Sequence, residues 1–186
     1  PMLRDEALAI LRAESTYGIA LENHCLRLAE FSVALAELRG VAIDEDLIRA
    51  GCFLHDIGLC VKNPRISNYL ERGLDFVSPK LDEWKLDEEQ RKVFKDVMLY
   101  NHSLKEIEGI APAADVVRMA VQVEHSLGKR RAGLDKAFCK QVFANYPRHD
   151  FNHVLWEFFK LVVREDGPTE LFRVFIPSGL LAPLGR

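Results

Sequence analysis

Apolar residues in this chain recur at spacings of three and four, and no long stretch alternates apolar with polar residues, so the pattern specifies packed helices rather than sheet. Leu21, His24, Leu28, Phe31, Leu35 and Leu38 make the clearest stripe, and a histidine sits inside it. The spacing predicts helices over Leu3 to Glu14 and over Gly18 to Leu38, the second stopped by Gly40. Asp44 is placed to cap a third helix, which carries His55 and Asp56 and ends near Gly58. Further helices are expected from Asp87 to Ser103 and from Pro112 through Asp115 to Leu127. Two more run from Leu134 to Asn145 and from a cap at Asp150 to Arg164. Pro64, Gly73 and Pro79 break the pattern between Asn63 and Asp82, which reads as a loop with a short helical piece around Tyr69, suited to act as a lid. The tail from Phe172 to Arg186 carries Pro177, Gly179, Pro183 and Gly185 and is expected to be irregular.

At 186 residues the chain fits a single domain spanning 1–186, with a core over 18–146 and a helical extension over 147–186. The expected fold class is all-α, a helical bundle of about seven to nine helices. No run of uncharged apolar residues is long enough for a membrane span, and the acidic N-terminal stretch does not read as a signal peptide, so a cytoplasmic protein is expected. A net charge of −3 argues against nucleic acid as the main partner, because neutralising phosphates needs a basic surface. Cys25, Cys52, Cys60 and Cys139 form no C-x-x-C pair and read as buried thiols.

The strongest chemical signal is His55-Asp56 within GCFLHDIGL at 51–59. An imidazole and a carboxylate in so apolar a segment are costly to bury without partners, and a divalent cation satisfies both. A cation needs ligands from elsewhere, and His24, on an otherwise apolar stripe, supplies one. A lone histidine in that position reads as a core residue bonded to a carbonyl; two such sites in successive helices favour a shared metal.

With His24 upstream and the phrase HDIG at 55–58, the chain resembles the HD-domain superfamily. The resemblance spans about residues 18–146. It implies a helical bundle that binds one or two divalent metals through a histidine, a His-Asp pair and a later aspartate. Most members are phosphohydrolases; a minority are oxygenases or hydratases. The family's last ligand usually stands in an Ala-Asp-x-x-Asp phrase, and here the corresponding stretch is AVQVE at 120–124. Either Val121 holds the ligand position and the longer Glu124, on the same face, substitutes, or Glu124 is itself the aligned position.

The site is therefore expected to comprise His24, His55, Asp56 and Glu124 as ligands of zinc, manganese, cobalt, nickel or iron. Asp56, Glu124 and His102 are the catalytic candidates, and His102, His125, Lys62 and Arg130 the substrate-binding ones, with Arg131, Tyr17 and Glu22 as weaker candidates. His102 reads equally as a residue placed against a helix C-terminus. His149 and His153 have a zinc-compatible spacing, but Asp150 between them reads better as a helix cap. Trp84 and Trp156 read as packing residues. The expected reaction is hydrolysis by a metal-activated water of a small anionic substrate, a phosphoester or nucleotide. The alternatives are a hydratase, a di-iron oxygenase that recruits His102 and His125, or a non-catalytic module. Oligomeric state is open, a homodimer included.

Overall fold

The computed structural model describes residues 2–177. Among them are nine α-helices and no strand: α1 (Leu3–Glu14), α2 (Gly18–Arg39), α3 (Glu45–Leu54), α4 (Tyr69–Glu83), α5 (Glu88–Tyr100), α6 (Pro112–His125), α7 (Lys136–Asn145), α8 (Phe151–Leu161) and α9 (Pro168–Phe175). A short 3-10 turn, Ile57–Leu59, follows α3, and a π turn, Val162–Asp166, follows α8. No helix is long and apolar enough to cross a membrane.

Helix α2 is the axis of the bundle. It packs against α1, α3, α6, α7 and α8, so its burial extends well beyond one stripe and takes in Asn23, Arg27 and Ser32 as well as His24. Gly40 ends it in the left-handed conformation (φ 65°), which costs a glycine nothing. The Asp44 side chain accepts from the Leu47 N–H and starts α3 as expected. Asp46 of α3 then accepts from the Leu3 and Arg4 N–H groups (2.9 and 3.1 Å), so α1 is capped by its neighbour rather than by its own preceding residue.

The segment read as a loop and lid is corrected by α4. Asn68 caps it, accepting from the Leu70 and Glu71 N–H groups, a start signal that outweighs the breakers downstream. Pro79 sits on the exposed face of the last turns, where the carbonyl of exposed Asp75, deprived of its helical donor, reaches water. Gly73 marks a close approach rather than a turn. A Cβ there would lie 3.0 Å from the Gly58 nitrogen, and one on Gly58 only 1.8 Å from the Tyr69 carbonyl oxygen. Two facing glycines let α4 dock directly onto the turn that follows His55-Asp56.

At the C-terminal end, Gly167 (φ 91°) breaks the chain and Pro168 opens α9, so the expected irregular tail is helical as far as Phe175. The part of that expectation beyond Pro177 lies outside the described residues. Asp150 does stand at the N-cap of α8, but its side chain makes no capping bond; its backbone carbonyl accepts from His153 and Val154 instead. His149 adopts a left-handed backbone (φ 50°) ahead of the helix, so it and exposed His153 do not share one helical face. The extension over 147–177 is part of the bundle's packing. Arg72 of α4 pairs with Asp166 (2.9 Å), and Tyr17 packs edge-on against Phe158.

Candidate metal centre

His24 comes from the middle of α2, His55 caps the end of α3, and Asp56 leads into the 3-10 turn. All three are buried, and one ligand atom from each falls within 4.8 Å of the other two. His24 Nε2 lies 3.2 Å from His55 Nε2 and 3.4 Å from Asp56 Oδ2, and His55 Nε2 lies 2.9 Å from the same oxygen.

The opposite ring nitrogens fix what these atoms can offer. His55 Nδ1 faces the Cys52 carbonyl at 2.6 Å, and a carbonyl only accepts, so Nδ1 carries the proton. His24 Nδ1 faces the Glu124 carboxylate at 2.9 Å and donates to it. With each Nδ1 proton committed outward, both Nε2 atoms face one spot together with a carboxylate oxygen. Three convergent ligand atoms in a buried site call for a cation. Burial works against a charged His24, yet Glu124 and Asp56 together raise its pKa to about 9, so a cation bound there would displace the proton from Nε2. Asp56 is likewise held ionised: burial opposes it, but His55, with His102 and His24 close by, keeps its carboxyl well below the usual range. Its Oδ1 is buried without a hydrogen-bond partner, although His102 Nε2 stands 3.7 Å away. The donor set of two imidazoles and a carboxylate fits a divalent transition metal.

Glu124 takes a different place from the one expected. It is fully buried on the Nδ1 side of His24, away from the Nε2 that faces His55 and Asp56. Its other oxygen accepts from Arg27 Nε, and burial, which would raise its pKa, is outweighed by His24 and Arg27, so it stays ionised. Glu124 thus orients the imidazole and fixes its tautomer. A second grouping, His24 with Glu124 and His125, is also close enough to hold a metal, but it needs a carboxylate already engaged by Arg27 and His24. Val121, the other position weighed for the last ligand, is buried and contributes to the wall of a neighbouring cavity.

Arg27 and Phe151 carry weight that the sequence reading did not assign. Arg27 is fully buried, bonds Glu124 and the Tyr146 carbonyl, and lies over the rings of Phe143 and Phe151 (5.4 and 5.7 Å). Phe151 stacks on His24 with centroids 4.5 Å apart. An arginine three residues after His24 in an apolar helix was the available signal for the first; nothing in sequence announced the second.

His102, in the turn after α5, and His125, at the end of α6, have their rings 5.4 Å apart, and both line a cavity of about 390 Å³ beside the cluster. Burial, with His102 and His24 close by, pushes His125 down to about 3, and its Nε2 is buried without a partner. Tyr69 of α4 lines the same cavity and reaches Asp56; burial and that carboxylate push its hydroxyl up. Lys62 and Arg130 are exposed and line no part of this cavity, and neither does Arg131. Glu22 pairs with Arg12 rather than joining the site. Trp84 packs against Phe94 as expected, whereas Trp156 is 56% exposed and stacks only on Phe159. The four cysteines are free thiols; Cys25, Cys52 and Cys139 are buried and Cys60 is half-buried.

A helical bundle that gathers a histidine, a His-Asp pair and further histidines at its centre defines a class of metal-binding proteins. The family model described as HD domain matches residues 21–142, and the chain belongs to that family. Comparison with curated proteins returns no match.

Proposed function

We propose that this chain is a metal-dependent hydrolase in which His24, His55 and Asp56 hold one divalent cation, drawn from zinc, manganese, cobalt, nickel and iron. The observation that carries the reading is the convergence of three ligand atoms in a buried site, beside a buried Asp56 oxygen that lacks a partner. A divalent cation, when bound, supplies Lewis acidity that makes water a competent nucleophile near neutral pH. The protein's own groups do the rest. Glu124, locked by Arg27, keeps His24 in the tautomer that presents Nε2. His102, between Asp56 and the cavity, is placed to move a proton to or from a bound substrate, and Asp56 orients it. His125, neutral at physiological pH, can donate or accept a hydrogen bond at the same end. A single cation is favoured over two because the second possible grouping shares His24 and depends on the engaged Glu124.

The test is elemental analysis of protein purified without added metal, alongside Asp56→Asn. Stoichiometric metal in the parent and little in the variant, with loss of any ester hydrolysis in parallel, is the expected result. Parent protein that takes up no metal even after incubation with manganese or zinc would leave the family's non-catalytic role as the better reading.

A further inference from the structure

We propose that the cavity beside the cluster takes an uncharged, largely apolar organic molecule rather than a phosphorylated one. This names the substrate class of the hydrolase proposed above and rests on that reading for its catalytic meaning, though the binding preference stands on the cavity alone. The cavity measures about 390 Å³, which suits a small molecule. Leu59, Val121, Leu155, Phe158, Val174 and Phe175 contribute apolar wall, and Leu104 and Phe159 add to it while remaining 64% and 46% exposed.

The polar groups in the wall are outnumbered by apolar ones, and some are committed. Ser103 donates to the Lys105 carbonyl, and the Asn101 amide nitrogen donates to the Val97 and Met98 carbonyls, leaving its Oδ1 buried without a partner. No lysine or arginine lines it among the described residues. The buried arginines Arg27 and Arg118 stand outside the wall and are held elsewhere, Arg27 by Glu124 and the Tyr146 carbonyl and Arg118 by Asp115 and the Ser103 carbonyl. Apart from the cation proposed at His24, His55 and Asp56, a phosphate dianion drawn into this space would lose its water and meet no lysine or arginine in exchange. An apolar body would gain from leaving water in proportion to the area it buries. The polar exception is the inner end, where His102 stands 3.7 Å from Asp56 Oδ1 and His125 keeps a buried, unpartnered Nε2. A ligand that matches these features carries one neutral hydrogen-bonding function at the end of an apolar frame.

A matched pair tests this: 4-phenylbutanol against 4-phenylbutyl phosphate, titrated calorimetrically into the full chain as purified, with metal content measured on the same sample. The alcohol is expected to bind more tightly by at least about tenfold, the scale set by an unpaired buried charge. Leu155→Lys, at a half-buried wall position outside the metal cluster, is expected to narrow that ratio by at least about tenfold with metal content unchanged. If the lysine variant does not fold, Leu155→Gln is expected to weaken the alcohol several-fold. The proposal is overturned if the phosphate binds as well as the alcohol, if neither binds, or if substitution at Leu155 leaves the preference intact. Metal content reports separately on the hydrolase reading: protein that prefers the alcohol but takes up no metal even after incubation with manganese or zinc defeats only that reading, and a metal-loaded sample that prefers the phosphate defeats only this one.

Discussion

Replacing Glu124 with glutamine separates two roles that a family resemblance alone leaves merged. In the structure Glu124 and Arg27 are both fully buried, so their attraction is not screened by water, and the Arg27 Nη2 already lacks a partner. Glu124→Gln removes the charge and leaves the guanidinium with the Tyr146 carbonyl and two aromatic faces. Stranding one member of a buried ion pair costs roughly 3–5 kcal/mol. For a chain of this size that is a fall in melting temperature of about 6–20 °C, since each kcal/mol shifts it by about 2–4 °C. His24 loses a firm acceptor for its Nδ1 proton, so metal affinity should weaken by about 10–100-fold, the range for a partner that orients a ligand. Thermal and urea unfolding monitored by circular dichroism, with metal titration on the folded variant, measure both effects. Adding Arg27→Met should restore more than half of the lost stability, because the unpaired charge goes with it. A Glu124→Gln protein that melts like the parent yet binds no metal would refute this assignment and make Glu124 a direct ligand.

Gly58→Ala should destabilise the chain by more than about 3 kcal/mol, because the new methyl group would sit 1.8 Å from a backbone oxygen of α4 that no side-chain rotation can relieve; near-normal urea unfolding would show that α4 does not dock there. Arg72→Met removes bonds to the Gly58 and Ile66 carbonyls and to buried Asp166, at a cost of roughly 3–5 kcal/mol. Limited proteolysis should then open the segment around α8 and α9 first, and unchanged protection there would count against the tie. Asp87→Ala deletes a capping box on an exposed helix end and should cost only about 1 kcal/mol by thermal melting, with metal content unaffected.

The helices of this chain were legible because each carries its own local instructions. The three-four spacing of α2, Gly40 at its end, Asp44 before α3 and Pro112 at the start of α6 act within a few residues and need no partner. Where a local signal pointed two ways, the reading went astray. Gly73 and Pro79 look like breakers in isolation, and only the facing Gly58 and the exposed side of α4 show why a helix tolerates them. Trp156 reads as core from its composition, but burial is a property of what lies opposite, and opposite it is solvent.

The metal cluster divides along the same line. His24, His55 and Asp56 declared themselves because buried polar groups in apolar helices need partners, a cost that depends on residue type and pattern. Which nitrogen each imidazole presents, and whether Glu124 touches the metal or steadies a ligand, depended on the Cys52 carbonyl and on Arg27. The lining of the cavity is assembled from α4, α6, α8, α9 and the segment after α5, so its apolar character was invisible one segment at a time. Sequence determined that a histidine and a His-Asp pair in need of partners would lie among apolar helices, because that demand is written in side-chain chemistry. Tertiary packing alone decided how the ligands face it and what kind of molecule can lie alongside, because orientation and enclosure arise only between elements distant in the chain.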